Sequence, residues 1–342
     1  MEEKCILVFR FSAMGDVAMT APVLQQLCEN HSSIKIVMVS RPLFKPFFEH
    51  IPNLVFHAIH PDSIHKGLKG LYKLFTELKQ YNPHAIADLH DNLRSRILSF
   101  YFRSTGVQIK RIDKGREEKR ALTRANNKIL RPLQLTVDRY ADVFCALNYP
   151  LSLQHTLRKQ KRPIPPLFHS YYENKRSPII GIAPFAQHIY KMYPLTLMED
   201  VIADLSKSYQ LFIFGGGEEE KKIAGDWENR YTSVTSVIGK IDLAQELSLI
   251  ANLDLMLSMD SSGMHLASLV GVRVVSIWGP THPYAGFLGF GQLESDCLQI
   301  NHPARPNSVY GNKPCLCDNT PCIELIQPKL VINKIKQLLE HG

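Results

Sequence analysis

The 342-residue chain has no uninterrupted apolar segment approaching the ~18 residues that would cross a membrane. It also has no G-x-G-x-x-G dinucleotide fingerprint, no paired D-x-D aspartates for a diphosphate-bound divalent cation, no repeat of fixed period and no low-complexity tract. The residues before the first apolar run, Met1 to Lys4, are acidic rather than basic, so no secretory signal is predicted. These absences predict a soluble, cytoplasmic protein that uses no cofactor and no catalytic metal.

Acidic residues are outnumbered by basic ones, and the formal net charge is +8. This balance favours an anionic partner, which can be nucleic acid, an anionic membrane surface or a phosphorylated or acidic substrate. The sequence shows no segment in which basic residues are interleaved with aromatic residues expected to be exposed, so a nucleic-acid partner is not predicted. The length and the hydrophobic content of 45% indicate two globular domains.

The first apolar run, Cys5–Phe9, is typical of a strand buried on both faces of a parallel sheet. A turn of small residues follows, and then an amphipathic helical pattern begins at about Val17. Asp16 therefore lies where a strand ends and a helix starts. Unpaired N–H groups at a helix start keep a carboxylate ionised and able to accept a proton, although a plain helix cap is the commoner role of such an Asp.

Strands and helices alternate along the chain, with a predicted helix over 116–130 and a final one over 328–339. The alternation is interrupted over 150–178 by a stretch rich in Pro, Lys and Arg, which is typical of a linker. It then restarts. The pattern predicts two doubly wound α/β domains that face one another across a cleft, with ligands at the carboxyl ends of the strands.

Three motifs follow strands in the second half of the chain. One contains Asp260, Ser261, Ser262, Gly263 and His265, which supply hydroxyls and helix-start N–H groups suited to phosphate, although a capped helix is an equal alternative. In the second, Lys191 precedes a helix start and can reach a diphosphate, although most single lysines are merely solvated. In the third, a triple-glycine turn precedes Glu218 and Glu219, which can hold ribose hydroxyls or simply favour the helix dipole.

Arginines follow two strands of the first half and suit an acidic, phosphorylated acceptor, because guanidinium groups bind such anions in a bidentate way. The predicted acceptor-binding residues are Arg94, Arg96, Arg120 and Arg124. Ordinary solvated charges are the alternative. The basic linker can also hold the protein near an anionic inner leaflet, as a peripheral contact.

Four cysteines gather near the C-terminus, namely Cys297, Cys315, Cys317 and Cys322, with His302 between them. Their spacing is not the paired C-x-x-C of a zinc ribbon, so no metal site is predicted and reduced thiols are expected. The role of the cluster is left open.

Four motifs in this order resemble glycosyltransferase family 9, the heptosyltransferases of lipopolysaccharide core assembly. They are R-F-S-A-M-G-D-V at 10–17, K-x-Y-P at 191–194, G-G-G-E-E at 215–219 and D-S-S-G-M-H-L-A at 260–267. The resemblance implies a GT-B fold with an acceptor-binding domain over 1–165, a nucleotide-sugar domain over 176–326, and a last segment, 327–342, that packs back on the first domain. It also implies metal-independent, inverting transfer of heptose from ADP-heptose to a lipid-linked core sugar.

By the same resemblance, Asp16 is the general base, Lys191 binds the donor diphosphate, and Glu218 or Glu219 binds the ribose. Asp260–Gly263 and His265 form the donor-binding loop. Two positions depart from the family pattern, since Ser262 stands where the family has Gly and Tyr193 stands where it has Trp. The altered loop keeps open a nucleotide-binding or scaffold protein of the same fold without transferase activity.

Overall fold

A computed structural model describes residues 4–173, 175 and 177–340 of the chain. The acidic residues 1–3 and the last two residues of the predicted segment 327–342 lie outside the described residues. Contacts divide the chain into unit 1, Met1–Lys114 and Gln134–Gln154, and unit 2, Gly115–Leu133 and His155–Gly342. None of the helices in the described ranges combines the length and the apolar character needed to cross a bilayer.

The elements are numbered in chain order over the described residues. The strands are β1 Lys4–Phe9, β2 Ile34–Ser40, β3 Leu54–Ala58, β4 Ala85–Asp88, β5 Gln108–Arg111, β6 Ile179–Ala183, β7 Gln210–Ile213, β8 Val234–Ser236, β9 Leu255–Met259, β10 Val274–Ile277, β11 Cys297–Leu298, β12 Leu316–Cys317 and β13 Thr320–Pro321. The helices are α1 Met14–Ala18, α2 Thr20–Asn30, α3 Gly67–Lys79, α4 Leu93–Arg103, α5 Arg116–Thr123, α6 Thr136–Cys145, α7 His169–Glu173, α8 Leu195–Leu205, α9 Glu218–Arg230, α10 Leu243–Ala251, α11 Ser262–Leu269 and α12 Pro328–Glu340.

Unit 1 is built on a parallel sheet of five strands in the order β3-β2-β1-β4-β5. Residues 5–9 of β1 are buried, as expected for the central strand of a doubly wound sheet. The chain winds outward in opposite directions from β1 and from β4, so the loops after these two strands diverge at one edge of the sheet. Asp16 follows β1 and His90 follows β4, and both therefore lie at this edge.

Unit 2 contains a parallel sheet of six strands in the order β11-β10-β9-β6-β7-β8. This is the Rossmann order, and the loops after β6 and β9 diverge at its switch point. The predicted pair of doubly wound parallel sheets is confirmed. Sequence-predicted strand and helix positions agree closely with the structure where apolar periodicity is strong.

The last helix, α12, belongs to unit 2. Val331 and Ile335 are fully buried in the unit 2 core, and Lys336 Nζ lies 2.6 Å from Asp204 Oδ1 of α8. Lys334 Nζ lies 2.9 Å from Asp296 Oδ1. These contacts place the helix in unit 2, where its apolar stripe packs against α8 and the second sheet.

The segment 115–133 also belongs to unit 2, whereas the sequence analysis placed it in the first domain. Leu122 and Leu133 pack against Ala285, and the Lys119 ammonium lies 4.3 Å from the centroid of the Phe287 ring. The predicted helix over 116–130 ends at residue 123, because the next residue is extended and Asn127 has a φ of 51°. Arg120 and Arg124 are therefore in unit 2, and Arg94 and Arg96 are in unit 1. Unit 2 resumes at His155.

Candidate functional site

The switch point of the unit 2 sheet brings Lys191 and Asp260 together. β6 and β9 are parallel neighbours with Ala183 opposite Ser258, so the loops after them start side by side. The Lys191 Nζ lies 2.8 Å from Asp260 Oδ2, and these side chains are only 16% and 7% exposed. A partly buried ion pair at this distance holds both groups in a defined position. The ammonium is therefore held at the carboxyl edge of the sheet, where ligands of such folds bind.

The N-terminus of α11 lies beside this pair. Ser261 is its N-cap residue, and the Ser261 side chain makes no capping hydrogen bond to the first turn. Those donors, with the positive end of the helix dipole, are suited to a phosphate. Ser262 begins the helix, and His265 is 8% exposed within it.

Gly263 lies in the first turn of α11 and is buried against the sheet. A Cβ at this position would lie 2.5 Å from the Cβ of Ala183 and 3.0 Å from Ser258 Oγ. Glycine therefore permits α11 to approach β6 and β9 closely. This packing role accounts for the glycine that stands one place later than in the family pattern.

The triple-glycine turn after β7 leads directly into α9. Gly217 has a φ of 98°, and Glu218 and Glu219 are exposed in the first helical turn. Glu220 instead folds back, and its Oε2 accepts a hydrogen bond of 2.7 Å from the N–H of Gly216. The sequence analysis did not single out Glu220, because three consecutive glutamates give no sign of which one turns inward.

A second residue that the sequence analysis missed is Gly311. A Cβ here would lie 2.2 Å from Lys191 Cγ, and the φ of this glycine is 73°. The N–H of Gly311 donates to Ser308 Oγ at 2.8 Å. The glycine thus allows its loop to lie directly on the stem of Lys191 and helps to orient that side chain.

Asp16 lies in unit 1, in the first turn of α1. Its Oδ2 is 2.5 Å from Nη2 of Arg10, and its hydrogen bond from the N–H of Ala13 is long, at 3.4 Å. The arginine is buried and also donates to the carbonyl of Leu89 at 2.8 Å. Burial disfavours the charge on Arg10, but Tyr140 and Asp16 favour it and raise the pKa of the guanidinium above its ordinary value. Asp16 is therefore an ion-paired carboxylate more than a helix cap, and 27% of its side chain is exposed.

His90 lies next to this pair, at the same edge of the unit 1 sheet. The N–H of Phe11 donates to its Nδ1 at 3.1 Å, so Nδ1 is an acceptor and the ring is neutral. Burial and then the neighbouring cations Arg10 and Lys114 lower the pKa of His90 to about 3. The sequence analysis did not assign this histidine to the site.

The depressed pKa of His90 predicts a loss of stability in acid. The His90 side chain takes up a proton near the ordinary pKa of 6.5 in the unfolded chain, but only near 3 in the folded chain. The neutral, buried ring therefore contributes fully to the unfolding free energy above pH 6.5, and this contribution is lost as the pH falls below 6.5. The fall in unfolding free energy between pH 7 and pH 4.5 should be ~1–3 kcal/mol smaller in His90→Gln than in the wild type. Urea denaturation of both proteins at pH 7 and at pH 4.5 measures this difference. Equal pH dependence in the two proteins would contradict the assignment.

The predicted acceptor arginines have different surroundings. Arg94 is exposed at the start of α4, whereas Arg96 donates two hydrogen bonds to Asp91, at 2.7 and 3.1 Å. Arg124 donates to the carbonyl of Asn127 at 2.6 Å, and Arg120 is exposed on α5. The structure therefore does not bring the four together as one group within a unit.

Comparisons with known proteins place this geometry in a family. A model of glycosyltransferase family 9 (heptosyltransferase) matches residues 71–304. The chain is similar to lipooligosaccharide heptosyltransferase 2 of Campylobacter jejuni, with 22% identity covering 95% of this chain and 96% of that protein. Among solved structures, it is similar to a family 9 glycosyltransferase from Veillonella parvula, with a TM-score of 0.76 and 18% identity over 100% of this chain and 99% of that one.

The ADP-heptose lipopolysaccharide heptosyltransferase II of E. coli gives a TM-score of 0.69 and 17% identity over 99% of each chain. These neighbours have the GT-B fold, which confirms the predicted fold class. The family model covers well over half of the chain, so the resemblance inferred from the four motifs is confirmed. The chain belongs to glycosyltransferase family 9, the heptosyltransferases, and is a glycosyltransferase.

Proposed function

We propose that the protein transfers a heptose from a nucleotide sugar, ADP-heptose, to a lipopolysaccharide core acceptor with inversion at the anomeric carbon. The observation that carries this proposal is the ion pair of Lys191 and Asp260 beside the start of α11. Family membership supports the reaction class, and the printed name of the E. coli neighbour supports the donor.

The donor diphosphate gains negative charge as it leaves the sugar. Lys191 and the N–H groups at the start of α11 supply positive charge beside the diphosphate and stabilise the negative charge that develops on it. The partly buried setting strengthens each interaction relative to water. Asp260 orients the lysine rather than binding the diphosphate, because two negative groups in contact would repel.

The ribose of the donor is assigned to the turn after β7. In Rossmann-ordered sheets the acid that binds ribose hydroxyls follows the second strand of the winding, which in unit 2 is β7. Glu218 and Glu219 are exposed there, while the Glu220 carboxylate accepts a hydrogen bond from the N–H of Gly216 in the turn. We assign the ribose to Glu218 or Glu219.

The acceptor hydroxyl needs a base as the new bond to the anomeric carbon forms. Asp16 is proposed for this role because its carboxylate is held by Arg10 and is partly exposed. Pairing with a buried cation fixes the position of the carboxylate that is to accept the proton. The chain contains no D-x-D pair, so the proposed transfer relies on Lys191 and α11 for charge compensation.

A phosphorylated acceptor is assigned to exposed arginines, chiefly Arg94 of unit 1.

Peripheral contact with an anionic membrane is proposed for the surface of α3 and α4, where Leu68, Tyr72 and Phe100 are 63%, 56% and 70% exposed. The same helices carry three exposed, positively charged side chains, Lys69, Lys73 and Arg103. Aromatic and basic side chains together suit a lipid interface. Co-sedimentation with phosphatidylglycerol vesicles but not with phosphatidylcholine vesicles is the expected result.

Product analysis tests the proposed reaction. Purified protein, ADP-heptose and a heptose-free core acceptor are incubated with no added divalent cation, and the anomeric configuration of the product is determined by NMR. We expect a linkage of configuration opposite to that of the donor, formed at the same rate with and without added Mg²⁺. Retention of configuration, or ADP release without transfer, would refute the mechanism.

A further inference from the structure

Three buried thiols form a compact group in unit 2. The Sγ atoms of Cys315, Cys317 and Cys322 all lie within 4.8 Å of one another, and each residue is only 2% exposed. Cys297, which the sequence analysis grouped with them, is not a member of this cluster. It lies in β11, where its sulfur accepts a hydrogen bond from Ser276 Oγ at 3.4 Å. Cys315, Cys317 and Cys322 form the three-thiol cluster.

A tight hairpin explains how an unusual spacing makes this cluster. β12 and β13 are antiparallel and are joined by Asp318 and Asn319, with φ values of 50° and 69°, as in a two-residue primed turn. Side chains two apart on one strand share a face, which places Cys315 and Cys317 together. The N–H of Cys322 donates to the carbonyl of Cys315 at 2.8 Å, so these two are cross-strand neighbours. The hairpin thus brings the three thiols together although their spacing in the sequence is not the paired C-x-x-C of a zinc ribbon.

A buried cation accompanies the thiols. Arg305 is 3% exposed and lies close enough to interact electrostatically with all three cysteines. Its hydrogen bonds go to neutral acceptors, including the carbonyls of Gly279 at 2.5 Å and Thr281 at 2.8 Å. Among the described residues no carboxylate lies within ion-pair distance of it. A buried guanidinium without an anion is costly, and thiolate sulfur beside it would supply the missing negative charge.

We propose that Cys315, Cys317 and Cys322 bind one divalent metal ion of the zinc class through three thiolates. Each thiol gives its proton to solvent as its sulfur bonds to the ion. Sulfur atoms bound to tetrahedral zinc lie about 3.8 Å apart, which follows from Zn–S bonds of about 2.3 Å, and the cluster is compact enough to reach this with small shifts. Three thiolates and one divalent ion leave a single negative charge, which Arg305 balances.

The proposed metal would fix the loop that contacts Lys191. The N–H groups of Asn307 and Ser308 both donate to the carbonyl of Pro280, and Gly311 lies against the Lys191 stem. The three-thiol cluster follows this loop directly in the chain. Loss of the ion should therefore also weaken donor binding, a consequence that rests on the proposed function, whereas metal binding itself does not.

Metal stoichiometry and cobalt spectroscopy test the proposal on the full chain. The reduced protein is purified without a metal-affinity step, its metal content is determined by mass spectrometry, and the stripped protein is titrated with Co²⁺ and then Zn²⁺. We expect about one equivalent of metal per chain and sulfur-to-cobalt charge-transfer absorption that Zn²⁺ abolishes. Cys317→Ser should weaken binding at least about tenfold. Cys297→Ser, which changes a thiol outside the cluster, should bind as the wild type does.

Two results would overturn the proposal. One is a well-folded, fully reduced wild-type protein that holds less than about a tenth of an equivalent of metal and gives no charge-transfer band with Co²⁺. The other is a cluster disulfide that persists under the reducing conditions used, shown by a missing pair of free thiols. Both measurements use the wild-type chain, so they decide the question even if Cys317→Ser fails to fold. ADP affinity, measured before and after metal removal, then tests the link to Lys191 separately.

Discussion

Asp16→Asn is expected to lower kcat by about 10²- to 10⁴-fold, the usual contribution of a positioned general base. Asparagine has nearly the same shape but cannot take the acceptor proton. The Km for the nucleotide sugar should change little, because the residues assigned to the donor all belong to unit 2. Initial rates with ADP-heptose and a core acceptor, measured at saturating concentrations of both, give the two parameters.

The same substitution also has a structural effect, which must be separated from the catalytic one. Arg10 is buried, and its short contact with Asp16 is its only ion pair among the described residues. Weakening this contact should lower the unfolding free energy by about 1–3 kcal/mol. Urea denaturation measures that loss and establishes that the variant is folded under assay conditions.

Arg10→Gln is the matched control, because it removes the same ion pair but keeps the carboxylate. It should lose a similar amount of stability and a much smaller part of kcat. Asp62→Asn, at an exposed aspartate of the same unit that pairs with Arg41, should change neither. If Asp16→Asn retains kcat within about threefold, or if Arg10→Gln is equally impaired, the carboxylate does not act as the base.

Much of the fold could be predicted from the sequence because parallel strands leave a strong local signal. Residues 5–9 form an apolar run because β1 is covered on both faces, and the glycine-rich turn before α9 marks the end of β7. The end of α5 left no comparable signal. Leu122 and Leu133, which lie on either side of this end, pack against Ala285, a contact between residues distant in sequence. The hairpin of β12 and β13 is too short for periodicity to reveal it.

The candidate site was predictable in its residue types but not in its pairings. Asp16, Lys191 and Asp260 each follow a strand, and a local pattern can detect that position. The contact of Lys191 with Asp260 depends on β6 lying next to β9, and strand order is not encoded in any one segment. The Arg10 partner of Asp16 was missed for a related reason, since a basic residue at a strand end is most often solvated. The cysteine spacing was judged against linear motifs, whereas a hairpin brings the thiols together.

Lys191→Met is expected to weaken ADP binding by about 10- to 100-fold and to lower kcat as well. The ammonium group binds the diphosphate in the ground state and should bind it more strongly as charge develops on the leaving group. Methionine keeps most of the apolar stem that packs against Gly311 but has no charge. Isothermal titration with ADP measures affinity, and initial rates at saturating donor measure kcat.

Asp260 complicates this experiment, because removal of the lysine leaves a carboxylate that is only 7% exposed without its partner. An unpaired carboxylate would itself repel the diphosphate, so the single variant measures both the lost attraction and the new repulsion. The double variant Lys191→Met/Asp260→Asn separates them. It should recover part of the ADP affinity lost in Lys191→Met, and none of the kcat, because the charge that stabilises the leaving group is still missing.

Lys207→Met provides the control, since this lysine is exposed just after α8 in the same unit. It carries the same change in net charge, so an effect of overall charge on an anionic ligand would appear equally in both variants. We expect ADP affinity and kcat close to those of the wild type. Should Lys191→Met bind ADP as tightly as Lys207→Met does, the diphosphate is bound elsewhere, and the pair with Asp260 serves only to join the loops after β6 and β9.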